Sequence, residues 1–101
     1  MAQLLVLYNT PRDPSVFDRY YQETHIPLAR KIPGLHSLTI SHGPVQALAG
    51  NAPYLVAILD FDSMGDLVAA LASPEGHATA NDLRNFASGG ATLLLYDNKA
   101  V

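Results

Sequence analysis

The 101-residue sequence contains no cysteine and no tryptophan, and only 15% of its residues are charged. Without cysteine there is no disulfide, no thiolate nucleophile and no cysteine-ligated zinc or iron–sulfur site. The charged share lies below the roughly 25% of a typical domain, while 49% of the residues are hydrophobic. So much apolar material in so short a chain predicts a buried pocket, a subunit interface or both.

Positive charge and long apolar runs are also scarce. The six basic residues are scattered through a chain of net charge −3, so they form no cationic stripe for nucleic-acid phosphates or anionic lipids. The apolar runs, such as Leu4 to Leu7, are far shorter than the ~18 residues of a membrane span, and the N-terminus lacks the basic region of a signal peptide. We therefore expect a cytoplasmic protein that binds neither nucleic acid nor membrane.

Local signals divide the chain into strands and helical regions. In the first helical region Asp13 is a good N-cap, and Pro27 is expected to break or restart the helix near residues 24–26. In the second helical region Ser63 and Ser73 are helix-start signals. The predicted strands cover residues 3–8, 35–42, 54–60 and 91–97.

The order strand, helix, strand, strand, helix, strand predicts one α+β domain over residues 1–101. We expect a ferredoxin-like βαββαβ fold, with a four-stranded antiparallel sheet and helices on one face. Three of the strands are apolar on both faces, so the second face needs a cover. The simplest cover is another copy, giving a homodimer whose two sheets form an α+β barrel. The alternative is a well-buried monomer core.

Common catalytic and metal-binding motifs are absent from the sequence. There is no nucleophile elbow, Walker loop, dinucleotide-binding glycine pattern or His-Glu-x-x-His. The four histidines have no close ligand spacing, and His36 and His42 lie roughly 20 Å apart along an extended strand. We therefore expect no metal and no other cofactor.

His25 is the leading candidate for chemistry. It follows Tyr21 by four residues, on the helical stripe that faces the sheet, close to the disturbance at Pro27. An imidazole with an ordinary pKa near 6.5 can remove or return a proton at neutral pH. The alternative is a structural histidine that satisfies carbonyls freed by the proline.

Several further residues are candidates for a site. Gly76 in the first turn of a helix costs stability, so it indicates close packing or close approach of a ligand. Asp82 either reaches a pocket, where it could orient His25, or stays solvated, as aspartates more often do. The aromatic candidates either orient a ligand or pack in the core with polar groups at its edge; they are Tyr8, Tyr20, Tyr21 and Phe86.

Several stretches along the chain form a recognisable set: Leu7-Tyr8-Asn9 with Pro11 and Asp13, Tyr20-Tyr21, Thr24-His25-Ile26-Pro27-Leu28, Pro33-Gly34-Leu35, Ser73-Pro74-Glu75-Gly76, Asp82, Phe86 and Gly89-Gly90. In this order and spacing they resemble the EthD family, named for ethyl tert-butyl ether degradation and placed in the dimeric α+β barrel superfamily. The resemblance implies a ferredoxin-like subunit paired through its sheet, with His25 as the leading pocket residue. It implies either an accessory protein to a haem monooxygenase or a small cofactor-free enzyme acting on aromatic, polyketide-derived or lactone substrates.

Two functional hypotheses follow. In the first, a pocket between sheet and helices holds a small apolar, aromatic or carbonyl-containing compound, and a cofactor-free oxidoreductase or isomerase uses His25 as acid or base. Asp82 would orient His25, and a tyrosine would donate to a developing oxyanion. In the second, the protein is a non-catalytic accessory or ligand-binding module that supports a partner oxygenase, a haem monooxygenase, in ether or xenobiotic breakdown. A third reading assigns every motif to capping and packing.

Overall fold

A computed structural model describes all 101 residues and has the predicted order of strands and helices. The α+β, ferredoxin-like prediction is confirmed, with two helical regions that follow the first and third strands. The elements are β1 (Ala2–Tyr8), α1 (Pro14–Tyr20), a π-helical segment (Tyr21–His25), α2 (Ile26–Ala29), β2 (Leu35–Ile40), β3 (Leu55–Phe61), α3 (Met64–Ala72), α4 (Pro74–Phe86) and β4 (Ala91–Asp97).

The four strands form one antiparallel sheet in the order β2-β3-β1-β4. In the centre, Leu4 of β1 lies opposite Leu59 of β3 and Leu95 of β4. β2 is shorter than predicted and carries a register shift between Leu35 and Ser37, which makes His36 the extra residue of a bulge. β2 and β4 are therefore the two edges of the sheet.

The helices cover one face of this sheet and form the core with it. Along β1 every second residue, beginning with Ala2 and ending with Tyr8, is buried, as the two-residue period of a strand requires. The largest fully buried side chains are Tyr8, Phe61 and Leu67. No helix is both long and apolar enough to cross a bilayer.

Side-chain caps start the helices where the sequence predicts them. The carboxylate of Asp13 accepts a hydrogen bond from the backbone N–H of Val16 at 3.3 Å. The hydroxyl oxygens of Ser63 and Ser73 likewise accept from the third residue beyond, at 3.1 and 3.0 Å. Because the first turn of a helix leaves its N–H groups unpaired, these contacts define the helix starts locally.

Pro27 interrupts the α-helix without breaking the chain's helical path. The segment Tyr21–His25 is π-helical, the backbone N–H of Ile26 bonds to the carbonyl of Tyr21, and α-helical geometry resumes at Ile26. A proline ring collides with the carbonyl four residues earlier in a regular α-helix, and the wider π turn relieves that collision. Such turns often occur at functional sites.

The face of the sheet that carries no helix, called the open face below, is apolar in its middle. The central side chains of this face come from β1, β3 and β4, and the β1 and β3 members are only half-buried. At one end a polar row crosses all four strands. Asp60 accepts from Gln3 and from Ser37, both at 2.6 Å, and Gln3 accepts from Tyr96 at 2.5 Å.

Candidate functional site

His25 and Asp82 form a buried pair between the π-helical segment and α4. The Nδ1 atom of His25 lies 2.9 Å from Oδ2 of Asp82, and both side chains are 6% exposed. Asp82 is therefore not solvated. The ring nitrogens of His25 face a carboxylate and a phenol rather than carbonyls freed by Pro27.

The second carboxylate oxygen of Asp82 is held by two further donors. The hydroxyl of Tyr20 donates to Oδ1 at 2.6 Å, and Nδ2 of Asn85 donates to the same atom at 3.0 Å. Burial opposes the charged form, but hydrogen bonds from Tyr20, Asn85 and His25 outweigh it and lower the pKa of Asp82. The carboxylate is thus ionised at neutral pH and its Oδ2 is aimed at His25.

The other ring nitrogen of His25 faces a phenol. Its Nε2 lies 3.5 Å from the hydroxyl of Tyr8. Burial lowers the pKa of His25, and the hydrogen bond and charge of Asp82 only partly offset that effect. The imidazole is therefore neutral at pH 7. With an ionised acceptor at Nδ1, the proton resides on Nδ1 and the lone pair of Nε2 points toward Tyr8.

Aromatic rings surround this pair. The ring centroid of His25 lies 4.6 Å from that of Phe86 and 5.4 Å from that of Tyr21. Tyr8 meets Tyr21 edge-on at 5.6 Å. Burial raises the pKa of Tyr8 far above its ordinary value and raises the pKa of Tyr21 to about 12. Both phenols therefore keep their protons and are available as hydrogen-bond donors.

A cavity of about 50 Å³ lies between the sheet and the helices and is bordered by His25, Tyr8 and Tyr21. The remaining wall is almost entirely apolar, with Leu and Val side chains of the sheet and Leu83 of α4. Thr79 also borders it, but its hydroxyl donates to the carbonyl of Glu75. A cavity that binds benzene measures about 150 Å³, so an aromatic ligand would have to widen this one.

The predicted site residues divide into two groups. The structure places Tyr8, Tyr21, His25 and Gly76 along the cavity wall. Tyr20, Phe86 and Asp82 lie outside that wall, behind His25. The expected ligand contact of Tyr20 and Phe86 is therefore not seen in this cavity: Tyr20 bonds to Asp82, and Phe86 packs on the imidazole. These two side chains fix the position of the pair instead.

One residue of the site was not expected from the sequence. Asn85 follows Asp82 by three residues on α4 and donates to its carboxylate. Amide and carboxylate side chains at this spacing meet on one face of a helix, so the signal is present once Asp82 is singled out.

Close packing of two helices accounts for Gly76. A Cβ atom at this position would overlap the carbonyl oxygen of Ala70 and lie 3.0 Å from the Cα of Leu71. Both of those residues belong to the end of α3. Of the two readings of this glycine, close approach of a ligand and close packing, the second explains it, although Gly76 also borders the cavity.

The other histidines form no comparable cluster. His36 lies 3.6 Å from the carboxylate of Asp62, with both side chains exposed, and His42 and His77 are exposed as well. No group of three or more His, Asp or Glu side chains is arranged to hold a metal ion.

Comparison with known proteins agrees with this architecture. A family model described as EthD domain matches residues 9–90. The chain is 41% identical over its whole length to an uncharacterized 11.0 kDa protein from the thcB–thcC intergenic region of Rhodococcus erythropolis, covering 98% of that protein.

Solved structures share the fold. An EthD family protein of Bacillus halodurans C-125 superposes with a TM-score of 0.88 and 32% identity, over 98% of this chain and 99% of that one. SnoaB of Streptomyces nogalater, a cofactor-independent oxygenase, has a TM-score of 0.67 and 18% identity, over 99% of this chain and 94% of SnoaB. A dimeric ferredoxin-like protein of unknown function from Jannaschia sp. CCS1 has a TM-score of 0.71 and 14% identity, over 96% of this chain and 98% of that protein.

The family match spans most of the chain and includes every residue of the His25 cluster except Tyr8. On these grounds the chain belongs to the EthD family.

Proposed function

We propose that this protein is a cofactor-free enzyme that moves a proton on a small apolar compound bearing a carbonyl or phenolic oxygen. The observation that carries the proposal is the continuous line Asp82–His25–Tyr8, which leads from a buried carboxylate to an apolar cavity. A buried carboxylate that holds a neutral imidazole is the arrangement that makes a histidine an effective general base.

In the proposed reaction each residue has one role. Asp82 holds the Nδ1–H tautomer of His25, so that Nε2 takes a proton from the substrate and later returns it. Tyr21 donates a hydrogen bond to the substrate oxygen as negative charge develops there, and Tyr8 joins it once the substrate has taken its place at Nε2. The apolar wall strengthens these interactions by excluding water. Isomerisation, dehydration, and attack of the resulting carbanion on oxygen all begin with this proton transfer.

Fold similarity supports the absence of a cofactor only by analogy. SnoaB is a cofactor-independent oxygenase of the same fold, and fold alone does not carry function. The chemistry proposed for this chain rests on its own His25 cluster.

Hydrogen–deuterium exchange of a weakly acidic ketone tests the proposal directly. Cyclohexanone in D₂O is followed by proton NMR with wild-type protein, with His25→Gln and with the matched control His77→Gln, whose histidine is exposed on the same helix layer. We expect wild type and His77→Gln to accelerate exchange of the α protons. Loss of a general base lowers the rate by roughly 10²–10⁴-fold, so His25→Gln should approach the uncatalysed rate. Equal rates in both variants would remove His25 from the mechanism.

A non-catalytic role is the second candidate, and the nearly uniform apolar wall of the cavity favours it. An accessory module that sequesters a ligand or assists a partner oxygenase in ether or xenobiotic breakdown needs such a wall and no proton transfer. In the same NMR experiment, broadening of the ketone resonances by wild-type protein without any exchange would support binding alone.

We also propose that the protein works as a homodimer joined through the open face. The middle of this face is apolar, with Leu5, Ile58 and Leu94 in register across β1, β3 and β4. The polar row from Ser37 to Tyr96 borders it. An apolar centre with a polar rim is the composition of a protein interface, and solved structures of this fold are described as dimeric.

Sedimentation velocity tests the homodimer. We expect about twice the 10.8 kDa chain mass for wild type, and a single-chain mass for Ile58→Lys, because a lysine at the centre of the interface would be buried without a partner. Val68→Lys, on the exposed side of α3, is the control and should remain a dimer.

A further inference from the structure

The mouth of the cavity lies between α4 and the edge strand β4. Most residues that border the cavity are buried or half-buried, and the two that are largely exposed are Ala80 of α4 and Leu93 of β4. We therefore take the gap between these two exposed residues as the mouth of the cavity.

β4 is apolar and exposed on both of its faces. Leu93 and Leu95 point to the helix side with 42% and 47% of their surface exposed. Leu94 and Tyr96 point to the open face with 47% and 39% exposed. The helices therefore leave the outer margin of their own sheet uncovered, and the exposed leucines beside the mouth have no partner within the subunit.

The free edge of β4 also carries unpaired backbone groups next to the mouth. The N–H of Asn98 bonds to the carbonyl of Met1 at 2.8 Å, and the N–H of Asn9 bonds to the carbonyl of Gly90 at 3.0 Å. Bonded pairs alternate along an antiparallel ladder, so the even-numbered residues of β4 bond to β1. The amides of Leu93 and Leu95 consequently point outward from the edge.

Exposed edge strands usually carry lysine, proline or a bulge that blocks pairing with other chains. Between Ala91 and Tyr96, β4 has no charged residue and no proline, and its pairing with β1 continues without a register shift. The opposite edge, β2, does carry a bulge. The unprotected strand is thus the one that borders the cavity mouth.

We propose that a second copy of this chain covers β4 and closes the mouth of the cavity, so that the binding site is complete only in the dimer. The inference rests on the proposed pocket and homodimer. Leu94 and Tyr96 belong to the open face assigned to the partner, and a copy seated there lies beside the outward-pointing amides of the same strand. Its contact with the edge brings Leu93 and Leu95 out of water.

The absence of cysteine provides a specific probe, because a single introduced thiol is the only one in the chain. We would prepare Leu93→Cys at the mouth and Val68→Cys, on the exposed side of α3, as the matched control. Reaction with 5,5′-dithiobis(2-nitrobenzoate) is followed at concentrations at which sedimentation shows a dimer. Each thiol is also placed in the Ile58→Lys background, which separates the subunits without touching the cavity wall.

We expect the thiol at position 93 to react at least ~10-fold more slowly than the thiol at position 68 in the dimer, since thiol reactivity requires access. The two rates should become similar in the Ile58→Lys background. Similar rates in a protein that sediments as a dimer would overturn closure of the mouth while leaving the homodimer and the role of His25 intact. A monomeric wild-type protein would overturn both the closure and the homodimer, whereas the ketone exchange assay judges His25 separately.

If Leu93→Cys does not fold, amide hydrogen exchange of the wild-type chain tests whether a second copy covers β4. We expect the amides of Leu93 and Leu95 to be protected to the same degree as the amide of Leu94, which bonds to β1. Unprotected amides at 93 and 95 beside a protected amide at 94 would show a free edge and overturn the proposal.

Discussion

The Nδ1 atom of His25 lies 2.9 Å from Oδ2 of Asp82, although 57 positions separate the two residues in the chain. This contact makes the imidazole a directed base, because it fixes which nitrogen carries the proton. The Asp82 carboxylate stays ionised although it is buried, because Tyr20 and Asn85 also donate hydrogen bonds to its other oxygen. The chemistry proposed for the cavity depends on these four side chains acting together.

Replacement of Asp82 by Asn should lower the pKa of His25 further. The charge and hydrogen bond of Asp82 raise that pKa against the stronger effect of burial, and the amide removes the charge. The titration of His25 is followed by two-dimensional ¹H–¹⁵N NMR. Asp62→Asn, which alters an exposed carboxylate near His36, is the control and should leave the His25 curve unchanged. A higher pKa in Asp82→Asn would contradict the buried contact.

Tyr20→Phe should weaken the support of Asp82 without changing the cavity wall. Loss of a hydrogen bond to a carboxylate lowers the free energy of unfolding by about 1.5–3 kcal/mol, and the pKa of Asp82 should rise because the bond from Tyr20 lowers it. Urea unfolding and ¹³C NMR of the carboxyl group measure the two effects. Tyr54→Phe, which removes a similar bond to the exposed Asp18, should leave the Asp82 pKa where it is; a shift of equal size in both variants would argue against a direct contact.

Two glycine substitutions should have opposite effects on stability. Gly76→Ala forces α3 and α4 apart because the new Cβ overlaps the Ala70 carbonyl oxygen, and overpacking of this kind costs about 1–3 kcal/mol. Gly65→Ala on α3 meets only the Ser63 hydroxyl at 3.7 Å, so helix propensity should stabilise the fold by roughly 0.5–1 kcal/mol. Thermal or urea unfolding of both variants is the measurement. A neutral Gly76→Ala would show that the two helices are less tightly packed than described.

Stability should fall as the pH is lowered from 7 through the ordinary histidine range. The pKa of His25 is lower in the folded chain than in the unfolded one, so the unfolded state binds more protons between the two values and stability rises with pH there. The loss begins near the unfolded value of about 6.5 and is complete below the folded one. His25→Gln should flatten this part of the profile, whereas His77→Gln should retain the wild-type slope. A slope unaffected by His25→Gln would assign the pH dependence to other groups.

The elements of the fold were predictable because their signals are local. Asp13, Ser63 and Ser73 start helices through bonds that span three residues, and β4 was predicted with its observed limits. The predicted limits of β2 were less accurate, and its bulge was not predicted, since a bulge depends on pairing with the neighbouring strand. Pro27 was expected to interrupt the helix, but the form of the interruption, a π turn, depends on how the chain accommodates the ring without losing its path.

The candidate site was only partly predictable. His25 stood out through its position before Pro27, and Gly76 through its cost in a helix. The distinct positions of the adjacent Tyr20 and Tyr21, one on Asp82 and the other on the cavity, follow from where α4 packs across the π-helical segment. The spacing of residues in the sequence does not predict where α4 crosses the π-helical segment.

By itself the sequence determined the order of the elements, the apolar character of both sheet faces and the presence of a histidine facing the interior. These properties depend on capping, spacing and composition, which act between near neighbours. Only the tertiary structure decided that Asp82 is buried and bonded to His25, and that the cavity opens along β4. Both depend on contacts between residues distant in the chain, and such contacts form only when the helices pack on the sheet.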